Sequence, residues 1–211
     1  MKTSRLDGLV DGIFAIVMTL LIIEIRVPEF HEQTNNSELW HSLTKIAPLF
    51  LSYILSFSLL FTYWRAYCYV MLNAESFTPK LTNNIALFLF FIGLIPFTTH
   101  LIGRYNYTKL AIFLYALNII LSGISLLNLK QHIVKYNIHE DIKLTSKSVR
   151  HSNIRLLVPV ICSIIAIGLS FISTNLSMAV FTLLILFCLT QRGADFVDYV
   201  IEKVLKRELR K

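Results

Sequence analysis

The amino-acid sequence predicts an all-α membrane protein with six transmembrane helices per subunit. Three observations carry that expectation. Hydrophobic residues make up 55% of the 211 and charged residues 16%, against roughly 25% charged in soluble domains. About six apolar runs approach the ~20 residues needed to cross a hydrocarbon core of about 30 Å. Lys and Arg gather in alternate connections between those runs, as they do where positive loops stay in the cytoplasm. The mean hydropathy, +0.62, agrees.

The first span is expected at about residues 9–27, ended by Pro28, which removes a donor and clashes with the preceding turn. It lacks a small-residue cleavage pattern and runs on through Glu24-Ile25-Arg26, so it reads as a retained helix. The second span follows at about 43–70, the third at 84–103 and the fourth at 110–129. A basic stretch, Lys130 to Arg155, leads to the fifth at 156–174, and Asn175 marks a tight turn into the sixth at 176–190. Six spans leave no room for a separate soluble domain of ordinary size. The chain therefore divides into a transmembrane domain over residues 1–195 and an amphipathic basic tail over 196–211, where Phe196, Val200, Val204 and their neighbours recur at helical spacing.

Both termini are expected in the cytoplasm. Lys2 and Arg5 precede the first span, Arg65 and Lys80 border the second connection, and six Lys or Arg residues fill the fourth. The tail is basic as well. The first connection, from Glu29 to Ser42, has no Lys or Arg, and the fifth has no charge. Only Lys45, Arg104 and Lys109 oppose the scheme.

Several function classes fall away. The formal charge of +7 lies in loops flanking apolar helices, which is a topology signal and not a nucleic-acid footprint. Cys68, Cys162 and Cys188 show no metal-ligand spacing and read as small hydrophobes. His100 is the only histidine in an apolar span region, with no nucleophile or metal motif around it. No enzyme, cofactor or resident metal is expected. No internal repeat suggests a transporter, and Pro96 and Pro159 read as helix kinks or ends.

The first span is unlike the others. It opens with Arg5, Asp7 and Asp11 and closes with Glu24 and Arg26, and ionisable groups near lipid usually face protein or water. Asp7 and Asp11 share a face, and Glu24 and Arg26 read as interfacial anchors.

Arg5, Asp11-Gly12, Phe14-Ala15-Ile16 and Thr19-Leu20-Leu21 resemble the first-helix signature of the prokaryotic TMEM175 potassium-channel family. There an arginine, three variable residues and Phe-Ser-Asp open the helix; here Leu9 and Val10 replace the Phe and Ser. Further landmarks resemble the family in order: Trp40, Pro48, Tyr53, Ser56-Phe57, Trp64, Asn83-Asn84 and Leu94-Ile95-Pro96-Phe97-Thr98-Thr99. Tyr67-Cys68 stands where histidines commonly follow the tryptophan.

The resemblance implies a potassium-permeable cation leak channel of the cell membrane. It implies a homotetramer surrounded by membrane lipids, the first helix of each subunit lining a central pore. Ile16 and Ile23 would form apolar constrictions with Thr19 a hydroxyl ring between them, potassium being the permeant ion. Arg5, Asp11, Trp64 and Asn84 would form a structural network, with Arg5 and Asp11 as a charge pair. At about 100° per residue, Gly12, Ile16, Thr19, Ile23 and Arg26 form one stripe, assigned to the pore. Asp11, Ala15, Met18 and Ile22 form a second, assigned to the subunit interior. The competing expectation is a membrane scaffold or regulatory protein that conducts nothing.

Overall fold

The computed structural model describes residues 3–26, 35–71, 78–136 and 146–189. Among them the regular elements are α1 (Thr3–Ile23), α2 (Asn36–Lys45), α3 (Ala47–Met71), α4 (Pro79–Gly93), α5 (Ile95–Arg104), α6 (Lys109–Tyr136), α7 (Ser146–Ser170) and α8 (Thr174–Leu189). The fold is all-α, as expected. Four segments are long and apolar enough to cross a membrane: Arg5–Ile23, Ala47–Met71, Pro79–Arg104 and Lys109–Ile133. The expected fifth and sixth spans correspond to shorter apolar helices, Leu156–Ser170 and Thr174–Leu184. Pro28 and the tail at 196–211 lie outside the described residues.

Local chemistry moves several boundaries. The expected second span is split, because Pro48 cannot donate to the Thr44 carbonyl and the chain turns at Ile46. What precedes it is a separate short helix, α2, capped by Asn35, whose Oδ1 accepts from the Ser37 and Glu38 amides at 2.9 Å each. The third span starts before Asn84, at Pro79, behind Thr78, whose hydroxyl accepts from Leu81 N at 3.2 Å. The turn expected at Asn175 falls at 171–173, and Asn175 belongs to the first turn of α8.

The third span is also broken, between α4 and α5 at Leu94. Pro96 has no N–H for the Ile92 carbonyl, so the helix cannot continue through it without loss. Asn118 of α6 reaches the break. With its amide turned to satisfy both ends, Nδ2 donates to the Phe91 carbonyl at 3.1 Å and Oδ1 accepts from Ile95 N at 3.3 Å. Beside it, hydroxyls link three helices: those of Tyr115 and Ser56 lie 2.8 Å apart, and the Thr99 hydroxyl, 2.7 Å from the Ile95 carbonyl, donates to Ser56 Oγ at 2.6 Å. The buried hydroxyls at the break thus find partners in one another and in the backbone. Pro159, by contrast, lies within a continuous α7.

α3 and α6 form the middle of the bundle, with α7 and α8 against them on one side and α1 packed on α3, α4 and α5 on the other. Gly103 lets α5 lie against α3, where a Cβ would strike Ser52 Oγ and approach Leu49. Gly123 does the same for α6 and α7, where it would strike Val160. An aromatic cluster ties α1 to the bundle: Phe88 stacks on Tyr67 (6.1 Å between centroids, 9° between planes), meets Tyr63 edge-on and touches Phe14 of α1 at 6.0 Å. Cys68, Cys162 and Cys188 are half-buried against this core.

Candidate functional site

α1 has two unlike faces. Leu6, Val10, Phe14, Val17 and Leu21 are buried, spaced by four, four, three and four residues, which is the spacing of a single seam along a helix. Across the helix, Gly8, Gly12, Ala15, Ile16, Thr19, Leu20 and Ile23 are exposed. Ile16 is 59% and Ile23 66% accessible, although both are large and apolar. Nothing lies within 4 Å of a Cβ built on Gly8 or Gly12. One apolar flank of this helix is therefore left uncovered among the described residues.

This corrects the expected second stripe. Asp11, Ala15 and Ile22 are exposed and only Met18 is half-buried, so that stripe does not face the interior. The large side chains win the core because their burial returns more free energy than burying a carboxylate, which would have to leave water. The seam of Leu6, Val10, Phe14, Val17 and Leu21 is legible in the sequence as large apolar residues at helical spacing.

Asp11 leaves the seam sideways. Trp64 Nε1 of α3 donates to its Oδ1 at 2.9 Å, and Phe61 lies against the indole at 5.7 Å between centroids. The expected charge pair does not form: among the described residues no ion pair joins Arg5 to Asp11. Six residues at about 100° each put the two on different flanks of α1. Asn84 is half-buried on α4, and among the described residues no hydrogen bond joins its side chain to Arg5, Asp11 or Trp64. Of the four expected network residues, the structure brings together two.

Thr19 is exposed between the two isoleucines. Its hydroxyl lies 3.0 Å from the Ala15 carbonyl and 2.8 Å from that of Ile16. Its proton is thus spent on its own helix, and the oxygen lone pairs are left to face outward. The hydroxyl is poised as an acceptor. At the other end of α1, Glu24 Oε2 lies 3.5 Å from His100 Nδ1 of α5, an ion pair when the imidazole is protonated.

Among the described residues no group of three His, Cys, Asp or Glu side chains could hold a metal. What the fold defines is an all-helical protein with four segments long and apolar enough to cross a membrane. Its sequence and fold relatives are specific. The family model described as endosomal/lysosomal potassium channel TMEM175 matches residues 5–96, the first part of the chain. A potassium channel of Chryseobacterium sp. (strain P1-3) is 28% identical over 98% of this chain and 99% of its own. One from Streptomyces collinus is 25% identical over 88% of this chain and 91% of its own. The crystal structure of a lysosomal potassium-selective channel TMEM175 homolog from Chamaesiphon minutus superposes with a TM-score of 0.74 at 25% identity. That match covers 88% of this chain and 95% of the other.

Proposed function

We propose that the chain is a potassium-permeable cation leak channel of the cell membrane, assembled as a homotetramer in which α1 of each subunit lines the pore. The reading rests above all on the uncovered flank of α1. A single subunit of this size cannot surround an aqueous hole and pack its own core, whereas rotational assembly lets one helix per copy line it. Ile16 and Ile23 then form two apolar necks on the order of 10 Å apart along the axis, at about 1.5 Å per residue. Thr19 lies between them with its oxygen lone pairs outward.

Such a pore selects by dewetting and by the cost of dehydration. Potassium loses water more readily than sodium, so it passes the necks more easily. One ring of hydroxyl acceptors replaces only part of a hydration shell, and selectivity is accordingly weak. Six spans with both termini in the cytoplasm suit the loop charges. Arg5, Asp11, Trp64 and Asn84 act as framework around the cytoplasmic end of α1, the Asp11–Trp64 bond being its centre. Residues 1–195 form the channel domain, with the basic tail over 196–211 at the cytoplasmic surface.

The test is ion flux from purified protein in liposomes under potassium and sodium gradients. Flux of both ions, faster for potassium, is the expected result, and Ile23→Asn should raise it by wetting the neck. Flux no greater than from empty vesicles would leave the non-conducting scaffold as the better reading.

A further inference from the structure

Three cations remain outside everything described so far: Lys45, Arg104 and Lys109, the residues that oppose the charge asymmetry of the loops. All three are exposed. They lie at one end of the bundle, the end where the C-terminus of α1 meets α5 through Glu24 and His100.

A cavity of about 520 Å³ opens at that same end, lined by residues from three separate connections. Thr44, Ala47, Pro48 and Leu51 come from the α2–α3 junction, Asn106 and Tyr107 from the α5–α6 turn, and Asn175 and Met178 from the start of α8. Its volume is in the range of about 300–1,000 Å³ typical of small-molecule sites. Lys45 stands in the chain between the lining residues Thr44 and Ala47, and Arg104 and Lys109 bracket Asn106 and Tyr107. Lys109 Nζ lies 5.7 Å from the centroid of Phe171, in the turn that leads into α8 and its lining residues Asn175 and Met178. Of the described acids at this end, Glu24 faces His100, and Glu38 is in the first turn of α2, about 10 Å along that helix from Lys45.

Exposed aromatics stand on the same segments: Tyr107 lines the cavity, Tyr105 precedes it in the α5–α6 turn, Trp40 is on α2 and Phe171 in the turn before α8. Trp40, Tyr107 and Phe171 are 70%, 77% and 73% accessible, and Trp and Tyr are the side chains enriched at the level where headgroups begin. Cations and neutral polar groups at that level, above an apolar floor, match a molecule with an anionic head and a hydrocarbon tail.

We propose that this cavity binds one anionic phospholipid, its phosphate held by Lys45, Arg104 and Lys109 and its glycerol and first acyl carbons seated among Ala47, Pro48, Leu51 and Met178. The inference rests on placement in a membrane and not on conduction, so it stands or falls independently of the flux assay.

The experiment is thermal unfolding of the full-length protein in detergent, with phosphatidylglycerol, phosphatidylcholine or glycerol 3-phosphate added. Phosphatidylglycerol should raise Tm by about 5 °C near saturation, and the other two should not. The K45Q/R104Q/K109Q variant should lose that rise, as should Thr44→Trp, which fills the cavity and leaves the charges in place. Equal effects of phosphatidylcholine would overturn the proposal in favour of an uncharged lipid crevice, and equal effects of glycerol 3-phosphate in favour of a free-anion site. A full rise retained in both variants would place the lipid elsewhere. Loss of the oligomer in Thr44→Trp, read by size exclusion, would instead assign the cavity to a second copy of the chain.

Discussion

At the scale of residues, Thr19 and Asp11 show how one helix divides its polar side chains between two tasks. Thr19 satisfies its donor on its own backbone, so its side chain contributes an acceptor and nothing to packing. Thr19→Val keeps the shape and removes that acceptor. The expected outcome is an intact oligomer with a changed potassium-to-sodium permeability ratio, measured from reversal potentials; an unchanged ratio would take Thr19 out of the filter. Asp11 contributes the opposite way, through Trp64. Asp11→Ala and Trp64→Phe should each lower the yield of assembled protein by size exclusion while the permeability ratio of what assembles stays the same. A normally assembled Asp11→Ala protein with altered selectivity would move Asp11 from framework to pore.

At the scale of elements, close helix approach depends on two glycines. A Cβ at Gly123 would meet Val160 of α7 and come within 3.3 Å of the Tyr63 hydroxyl. Tyr63 cannot yield freely, because its hydroxyl donates to the Ile119 carbonyl at 3.0 Å. Gly123→Ala should therefore destabilise by about 1–3 kcal/mol, the usual cost of overpacking. Thermal unfolding in detergent checks this, and Val160→Ala added to it should recover part of the loss; no recovery would mean the strain is not at that contact. Gly8 and Gly12, with open space around them, should accept alanine with little change in the folding of the subunit. The sequence presents all four positions alike, as glycines in apolar helices. Which of them is close to a neighbour depends on helix pairing across 37 residues in the case of Gly123 and Val160, and periodicity carries no such information.

At the scale of the whole molecule, one flank of α1 is left apolar and uncovered, and assembly is what would cover it. Native mass spectrometry of the detergent-solubilised protein should give four copies per particle; a monomer at all concentrations would remove the pore as read above. Hydrophobic runs and loop charge by themselves determined that the chain is helical and built for a membrane, because the length of a span and the cost of a charge in lipid are properties of local sequence. The likeness of the first helix to a potassium-channel signature was equally legible, since it is carried by neighbouring residues. The tertiary structure decided the rest: which stripe of α1 is buried, that Asp11 bonds Trp64 and not Arg5, that Asn118 closes the break before Pro96, and that three connections meet around one cavity. Each of these is a choice among partners far apart in the chain, settled by which packing buries the most apolar surface while pairing most of the polar groups buried with it.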